Sequence, residues 1–275
     1  MIPLVAEESF PQGGAMPRRG NALVTRLART ESDLRAAQRL RYAVFIAEMG
    51  GDGDMVDHTV GLEADRYDPF FDHLLLIDPA RDPAGLDHVV GVYRLMTCAR
   101  AEQAGGFYSS SEYDLGPLLN SGRRLLELGR SCIHPDYRGS TAMLHLWNGV
   151  ADYVQAHDIE LLFGVASFVG TDVDALALPV SWLHRFHLAP APLRARALEG
   201  VYQPMNLCQV TPADRSRALA EVPALIRAYL RMGGFVGDGA FIDHKLRTTD
   251  VFLVLDTRSM PDRRRMFHTR TPSGG

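Results

Sequence analysis

The chain has 275 residues, 46% of them hydrophobic and 23% charged, with a formal net charge of -4. Those proportions belong to an ordinary globular protein long enough to bury its own core, so no disulfide or metal staple is required. They exert no global pull toward nucleic acid, and no Lys/Arg run marks a groove-binding helix. Up to about Asn21, Pro11, Gly13, Gly14, Pro17 and Gly20 break any regular pattern, so residues 1–21 read as a flexible segment. Leu23 to Leu27 reads as a first strand. Thr30 to Asp33 supplies cap residues before Leu34, Ala37, Leu40, Val44 and Phe45, a helical spacing of threes and fours that Gly50 and Gly51 end. An acidic, irregular stretch runs on through Pro69.

The strands His73 to Ile77 and Val89 to Met96 read as a hairpin across a polar turn. Leu125 to Ile133 is a further strand, His134 to Gly139 a turn, and Thr141 to Val154 an amphipathic helix. Ile159 to Ala166 follows as an apolar strand, then a short helix over Ser181 to His187 and a Pro-rich connection. Val222 to Met232 reads as helix, Gly233 to Ala240 as turn, and Val251 to Leu255 as the last strand. Strands in runs with helices between them predict one α/β domain over residues 22–258, built on a mixed, mostly antiparallel sheet flanked by helices, with a tail over 259–275.

Cys98, Cys132 and Cys208 are odd in number and far apart, which suits a reducing compartment better than a disulfide framework. The N-terminus lacks the basic and apolar pattern of a signal peptide, and no apolar run approaches the roughly 20 residues needed to cross a bilayer. A cytoplasmic protein is expected, with contact to a membrane surface left open.

Charge is concentrated locally. Arg123, Arg124, Arg130 and Arg138 crowd one segment, and Asp52, Asp54, Asp57, Glu63, Asp65, Asp68 and Asp72 another. A strand leading into Pro-Asp-Tyr-Arg-Gly and then a helix resembles the acyl-donor motif of the GNAT acyltransferase superfamily. The physical logic is anion binding by the unpaired amides at a helix N-terminus. In that superfamily the loop is Arg/Gln-x-x-Gly-x-Gly/Ala. Here Arg138 is present, while Thr141 and Met143 stand at the two small-residue positions. A coenzyme A pyrophosphate needs an open loop, whereas the single phosphate of a carrier protein's phosphopantetheine arm needs fewer amides. The departure therefore favours an acyl carrier protein donor.

Residues 40–45, the run ending in Phe71-Asp72-His73, residues 90–95 and Glu127-Leu128-Gly129-Arg130 resemble the GNAT-like acyl-homoserine-lactone synthases. Residues 124–139, 162–168, 228–237 and Thr-Thr-Asp-Val at 248–251 are similar to the L-ornithine N-acyltransferase family. That resemblance implies transfer of a 3-hydroxyacyl chain from acyl carrier protein to the α-amine of L-ornithine, the first step of ornithine lipid synthesis. It implies no cofactor beyond the phosphopantetheine on the carrier, no metal, and possible peripheral contact with the inner membrane. The same chemistry on glutamine or glycine, or a lactone-type signal synthase, is the alternative.

The reaction needs a neutral amine, a stabilised thioester oxyanion and a docked donor. The resemblance makes Glu127 the general base, direct or through water. Glu127 and Arg130 are three apart, so regular strand alternation puts them on opposite faces. For both to face one pocket the strand must bulge at Leu128-Gly129, which would also free amides for an oxyanion near Gly129, Arg130 and Ser131. Arg41, Arg94 and Arg130 suit the acceptor carboxylate or the acidic segment, and Phe45 is a further candidate for the substrate pocket. Asp65, Asp68 and Asp72 either order that segment or receive the δ-ammonium. Arg138, Gly139, Ser140 and Thr141 form the donor-phosphate loop. His73-x4-Asp78 matches a membrane acyltransferase signature, but it brackets four apolar residues of a predicted strand and reads as chance. His184 and His187 lack an evident third metal ligand.

Overall fold

The computed structural model describes residues 22–258 and the backbone of Ile2–Pro3. The flexible segment expected over 1–21, Ile2–Pro3 excepted, and the tail expected over 259–275 lie outside the described residues.

Two faces of one mixed sheet organise the fold. In chain order the elements are β1 (Ile2–Pro3), β2 (Val24–Leu27), α1 (Glu31–Arg41), β3 (Asp72–Ile77), β4 (Val89–Thr97), α2 (Cys98–Ala104), β5 (Tyr113–Asp114), α3 (Gly116–Leu119) and β6 (Leu125–Ile133). Then come α4 (Ala142–Ala156), β7 (Leu161–Val169), α5 (Ala177–His187), β8 (Arg196–Ala197), α6 (Arg215–Glu221), α7 (Ala224–Arg231), β9 (Phe235–Asp243) and β10 (Thr248–Asp256). The strand order is β2-β3-β4-β6-β7-β10-β9-β8-β5. Neighbours are antiparallel except β6 with β7 and β8 with β9.

Period-two alternation sorts the side chains. Leu126 and Leu128 of β6 face a core that α4 closes with Leu146, Trp147 and Val150, and α7 with Ile226 and Tyr229. Leu125 and Cys132 face the other core, closed by Ala37, Leu40 and Phe45. α1 starts where expected: Thr30 Oγ1 accepts from the Asp33 amide at 3.1 Å. It does not stop at Phe45 as one α-helix. From Tyr42 to Glu48 the chain continues as a π-helix, with the Met49 amide bonded to the Val44 carbonyl, and this widening carries Val44, Phe45 and Ile46 into the core.

Residues 233–240, expected as a turn, mostly form β9. Glycines there permit close approach rather than reversal: a Cβ at Gly237 would lie 2.7 Å from the Ala195 carbonyl and one at Gly239 2.3 Å from the Tyr202 ring. The register with β10 shifts across these glycines, between Val251 and Leu253. Because β9 is flanked by β10 and β8, Gly233 to Phe241 forms no exposed sheet edge.

The parallel pair β6/β7 is joined only from Leu125 to Glu127, opposite Leu161 to Phe163. Beyond Glu127 the two strands part. β7 stays paired with β10 along its other edge, and β1 lies parallel to it at Ala166 and Ser167, on the edge that β6 leaves. The sheet thus opens beside Glu127.

Candidate active site

Glu127 lies where β6 and β7 separate and is 1% exposed. Its carboxylate receives the amides of Tyr108 (to Oε2) and Ser109 (to Oε1), each at 2.7 Å, and the Ser109 hydroxyl at 2.6 Å (to Oε1). A carboxylate has about four acceptor positions, so one remains, on Oε2. Glu127 therefore anchors the turn Tyr108–Ser111 while keeping one lone pair uncommitted.

The β6 bulge exists, one residue later than the sequence suggests. Gly129 pairs regularly with Arg94, and Leu128 with Leu95; the register then jumps so that Cys132 pairs with Val92. Arg130, not Gly129, takes the left-handed conformation, at φ 50°. Such a conformation costs a non-glycine residue about 1–2 kcal/mol, and the ion pairs of its guanidinium offset that strain. The extra residue turns Arg130 onto the face that Glu127 uses: its Nη1 is 3.5 Å from the hydroxyl of Tyr108, whose amide binds Glu127. Ser131 points the other way, beside the buried Tyr93 hydroxyl.

Arg41, Arg94 and Arg130 are buried and converge on Glu63, Asp65 and Asp68. Arg41 pairs with Glu63 through Nε and with Asp68 at 2.7 Å. Arg94 Nη1 bridges Asp65 at 2.8 Å and Asp68 at 2.7 Å, while its guanidinium stacks 4.2 Å from the Phe71 ring centroid. Arg130 reaches Glu63 at 3.1 Å and Asp65 at 3.2 Å. Three cations meet three anions. Burial works against ionisation of all three carboxyls, yet the arginines hold each below the usual carboxylate range. His73 Nε2 lies 3.0 Å from the Asp68 carbonyl, and burial pushes this imidazole down to about 4. Phe45 packs in the adjoining core.

Asp72 is apart from this cluster and accepts from the Tyr153 hydroxyl of α4 at 2.6 Å. His73 and Asp78 flank opposite ends of β3; Asp78 bonds Tyr137 instead. His184 lies 3.7 Å from Asp238. At the α4 N-terminus, Gly139 has φ 69° and the Ala142 amide binds Ser140 Oγ at 3.2 Å. Thr141 is exposed as the N-cap residue and makes no side-chain cap bond. The next amides, of Met143 and Leu144, have no acceptor within the helix. Arg138 holds Glu48 bidentately at 2.7 and 2.6 Å.

Four acidic residues escaped sequence reasoning as site residues. Glu63 was visible only as one of seven acids in its run. Glu112, Asp243 and Asp250 come together from three distant segments. The one available signal was an aspartate, Asp250, opening the apolar run Val251 to Leu255.

A sheet that opens beside a buried glutamate, with a helix N-terminus following the same strand, defines an acyltransferase of the GNAT class. Residues 40–148 match the family model described as "Acetyltransferase (GNAT) domain". The L-ornithine N(alpha)-acyltransferase of Rhodobacter capsulatus is 57% identical over 249 residues, 90% of this chain and 95% of that one. The enzyme of the same name from Brucella abortus is 41% identical, covering 88% and 87%. The chain belongs to the L-ornithine N(alpha)-acyltransferase family. Among solved structures, an N-acyl amino acid synthase from uncultured soil microbes matches with a TM-score of 0.48 and 12% identity, covering 89% of this chain and 94% of that one. The acyl-homoserine lactone synthase LasI matches with a TM-score of 0.47 and 15% identity, covering 93% and 100%.

Proposed function

We propose that the protein transfers a 3-hydroxyacyl chain from acyl carrier protein to the α-amine of L-ornithine, releasing the carrier thiol and forming the amide of lyso-ornithine lipid. The observation that carries the acceptor is 57% identity to an enzyme named for this amino acid, over nearly the full length of both chains. In this reading the donor's extended arm enters where β6 and β7 part, adding along the edge of β6, since β1 already pairs with β7 at Ala166 and Ser167. From Leu128 onward β6 has no β7 partner among the described residues, so its amides are available to the thioester oxygen as it becomes an oxyanion. The remaining lone pair of Glu127 takes the amine proton, directly or through one water. Gly129 and Arg130 supply the local backbone geometry. Ser131, turned toward Tyr93, contributes through that core rather than by touching substrate.

The donor phosphate would sit at the α4 N-terminus over Gly139, Ser140 and Thr141, with Arg138 exchanging Glu48 for the phosphate. A single phosphate suits a site whose small-residue positions are Thr141 and Met143. Arg41, Arg94, Asp65 and Asp68 act in this scheme by fixing the bulge rather than by holding the acceptor. The product carries one acyl chain and is expected to leave through a membrane surface. No described helix is long and apolar enough to cross a membrane.

The test is thiol release with 3-hydroxyacyl carrier protein or 3-hydroxyacyl coenzyme A as donor, and ornithine, glutamine, glycine or S-adenosylmethionine as acceptor. Release is expected with the carrier protein and ornithine. Preference for coenzyme A would remove the carrier assignment. Turnover only with another acceptor would replace ornithine by that compound.

A further inference from the structure

Glu112, Asp243 and Asp250 each place a carboxylate oxygen within 4.8 Å of the others. They arrive from separate places: Glu112 just after the turn that binds Glu127, Asp243 at the end of β9, and Asp250 inside β10. Asp250 is wholly buried and Glu112 is 5% exposed, while Asp243 is half-buried and opens the group toward solvent. Among the described residues no cationic side chain forms an ion pair with any of the three; nearby Lys245 is bonded to Asp54.

A second observation concerns hydrogen bonding. Both oxygens of Asp250 and Oε2 of Glu112 are buried without a partner, and so are the hydroxyls of Ser167 and Thr248. Ser167 is the cross-strand neighbour of Asp250, and Thr248 lies two residues before it on the same face. Buried polar atoms are almost always satisfied. The Ser167 and Thr248 hydroxyls lie against the Asp250 carboxylate without well-formed hydrogen bonds, and Glu112 Oε2 has no partner, so the group has the lining of a site rather than of a core.

We infer that Glu112, Asp243 and Asp250, with Ser167 and Thr248, form the pocket for the non-reacting δ-ammonium of the acceptor. This deepens the ornithine reading and rests on it. Three acceptors around one ammonium at ordinary hydrogen-bond lengths stand about 4.6 Å apart, which this group can match. The location is suitable. Ser167 lies on β7 beyond the point where β6 departs, and the Glu112 carboxylate is close enough to Glu127 to feel its charge.

The chemistry also selects which amine. Carboxylates around an ammonium hold its proton, so such a pocket suits the amine that must stay charged. The attacking α-amine must instead lose a proton beside Glu127. A divalent metal is the competing occupant. Hard cations take six or more oxygens, commonly with backbone carbonyls, and here the Asp250 and Gly239 carbonyls are bonded to the Tyr113 hydroxyl.

The experiment compares L-ornithine with L-2-aminopentanoate, the same acceptor without its δ-amine, using 3-hydroxyacyl carrier protein as donor. The wild-type protein is expected to prefer ornithine. In Asp250→Asn and Glu112→Gln the ratio of kcat/KM between the two acceptors is expected to fall 10- to 100-fold, chiefly through the KM for ornithine. Asp243→Asn, at the half-buried mouth, repeats the test should the deeper variants fold poorly. An unchanged ratio in variants that fold would overturn the assignment. So would activity lost to EDTA and restored by Mg2+ or Ca2+, which would make the three acids a metal site. No ornithine turnover by the wild-type protein would instead sink the ornithine reading itself.

Discussion

Two acidic clusters lie on the same side of the sheet and differ in one respect. Glu63, Asp65 and Asp68 are matched one for one by Arg41, Arg94 and Arg130. Glu112, Asp243 and Asp250 are matched by no cationic side chain among the described residues. The first cluster is matched in charge without a ligand, although Nε and Nη2 of Arg94 make no hydrogen bond, and it fixes the bulge that turns Arg130 onto the Glu127 face. The second has no cationic side chain of its own among the described residues, and an acceptor with two amines can bring one positive charge to it. Burial alone does not separate a structural acid from a binding acid; the presence of a partner does.

The largest expected effect on stability comes from breaking the matched cluster. Arg41→Met leaves three buried carboxylates facing two arginines, and removing one member of a buried ion pair costs about 3–5 kcal/mol. Urea unfolding at pH 7 would measure it, and a loss below about 1 kcal/mol would make the cluster a surface-like contact.

At the site between the clusters, Glu127→Gln is expected to lower kcat by about 10²- to 10⁴-fold, the usual contribution of general base catalysis. Its amide oxygen can still accept from Ser109, but its NH2 then faces the Tyr108 amide, so a loss of about 1–3 kcal/mol in stability should accompany the loss of rate. A mutant that keeps the wild-type pH–rate profile would remove Glu127 from proton transfer and leave it as the anchor of that turn.

In the unmatched cluster the sign of the stability change reverses. Asp250→Asn keeps the shape and removes a buried carboxyl that no cationic side chain among the described residues neutralises, so the protein without acceptor is expected to gain about 1–2 kcal/mol at pH 8. Destabilisation instead would show that Asp250 is already satisfied.

The clusters should also respond oppositely to pH. His73, facing Asp68, Arg41 and Arg94, is depressed to about 4 by burial. The unfolded imidazole takes its proton near 6.5, so stability should fall as pH drops from about 6.5 toward 4, by up to about 3 kcal/mol. Glu112, facing Asp250, Asp243 and Glu127, is raised to about 8, first by burial and then by those carboxylates. Its unfolded counterpart ionises near 4.5, so this contribution is present at low pH and is lost as pH rises from about 4.5 to 8. Glu112→Gln should flatten only the alkaline limb of a stability–pH curve.

The smallest effect belongs to the exposed pair Arg138–Glu48. Glu48→Ala should change stability by less than about 1 kcal/mol. In the proposed scheme it frees Arg138, so the KM for the donor should fall; a rise would place Arg138 in folding alone.

Most strands and the principal helices were legible because hydrophobic period and turn chemistry agree locally. Thr30 caps α1 as its sequence suggests, and Leu125 to Ile133 is β6 to the residue. Local rules failed where a long-range contact decides. The glycines before Ala240 read as a turn because their reason, the packing of Ala195, Phe252 and Tyr202 against them, lies elsewhere in the chain. The bulge was required by spacing, but its position was not: Arg130 takes the strained conformation because Glu63 and Asp65 draw its guanidinium across the strand. Asp65 and Asp68 carried two readings, ordering or binding, and the geometry shows arginines already paired with both. Residues 112, 243 and 250 share no local pattern, so only the folded sheet assembles them.

The contrast between a charge-matched and an unmatched cluster is tested most directly by thermal melting with and without saturating acceptor. Ligand at 100 times its Kd stabilises by about 2.7 kcal/mol. Ornithine is expected to raise the melting temperature of the wild-type protein, L-2-aminopentanoate to raise it much less, and Asp250→Asn to abolish the difference. Equal shifts from the two acceptors, or an ornithine shift that survives Asp250→Asn, would contradict the account.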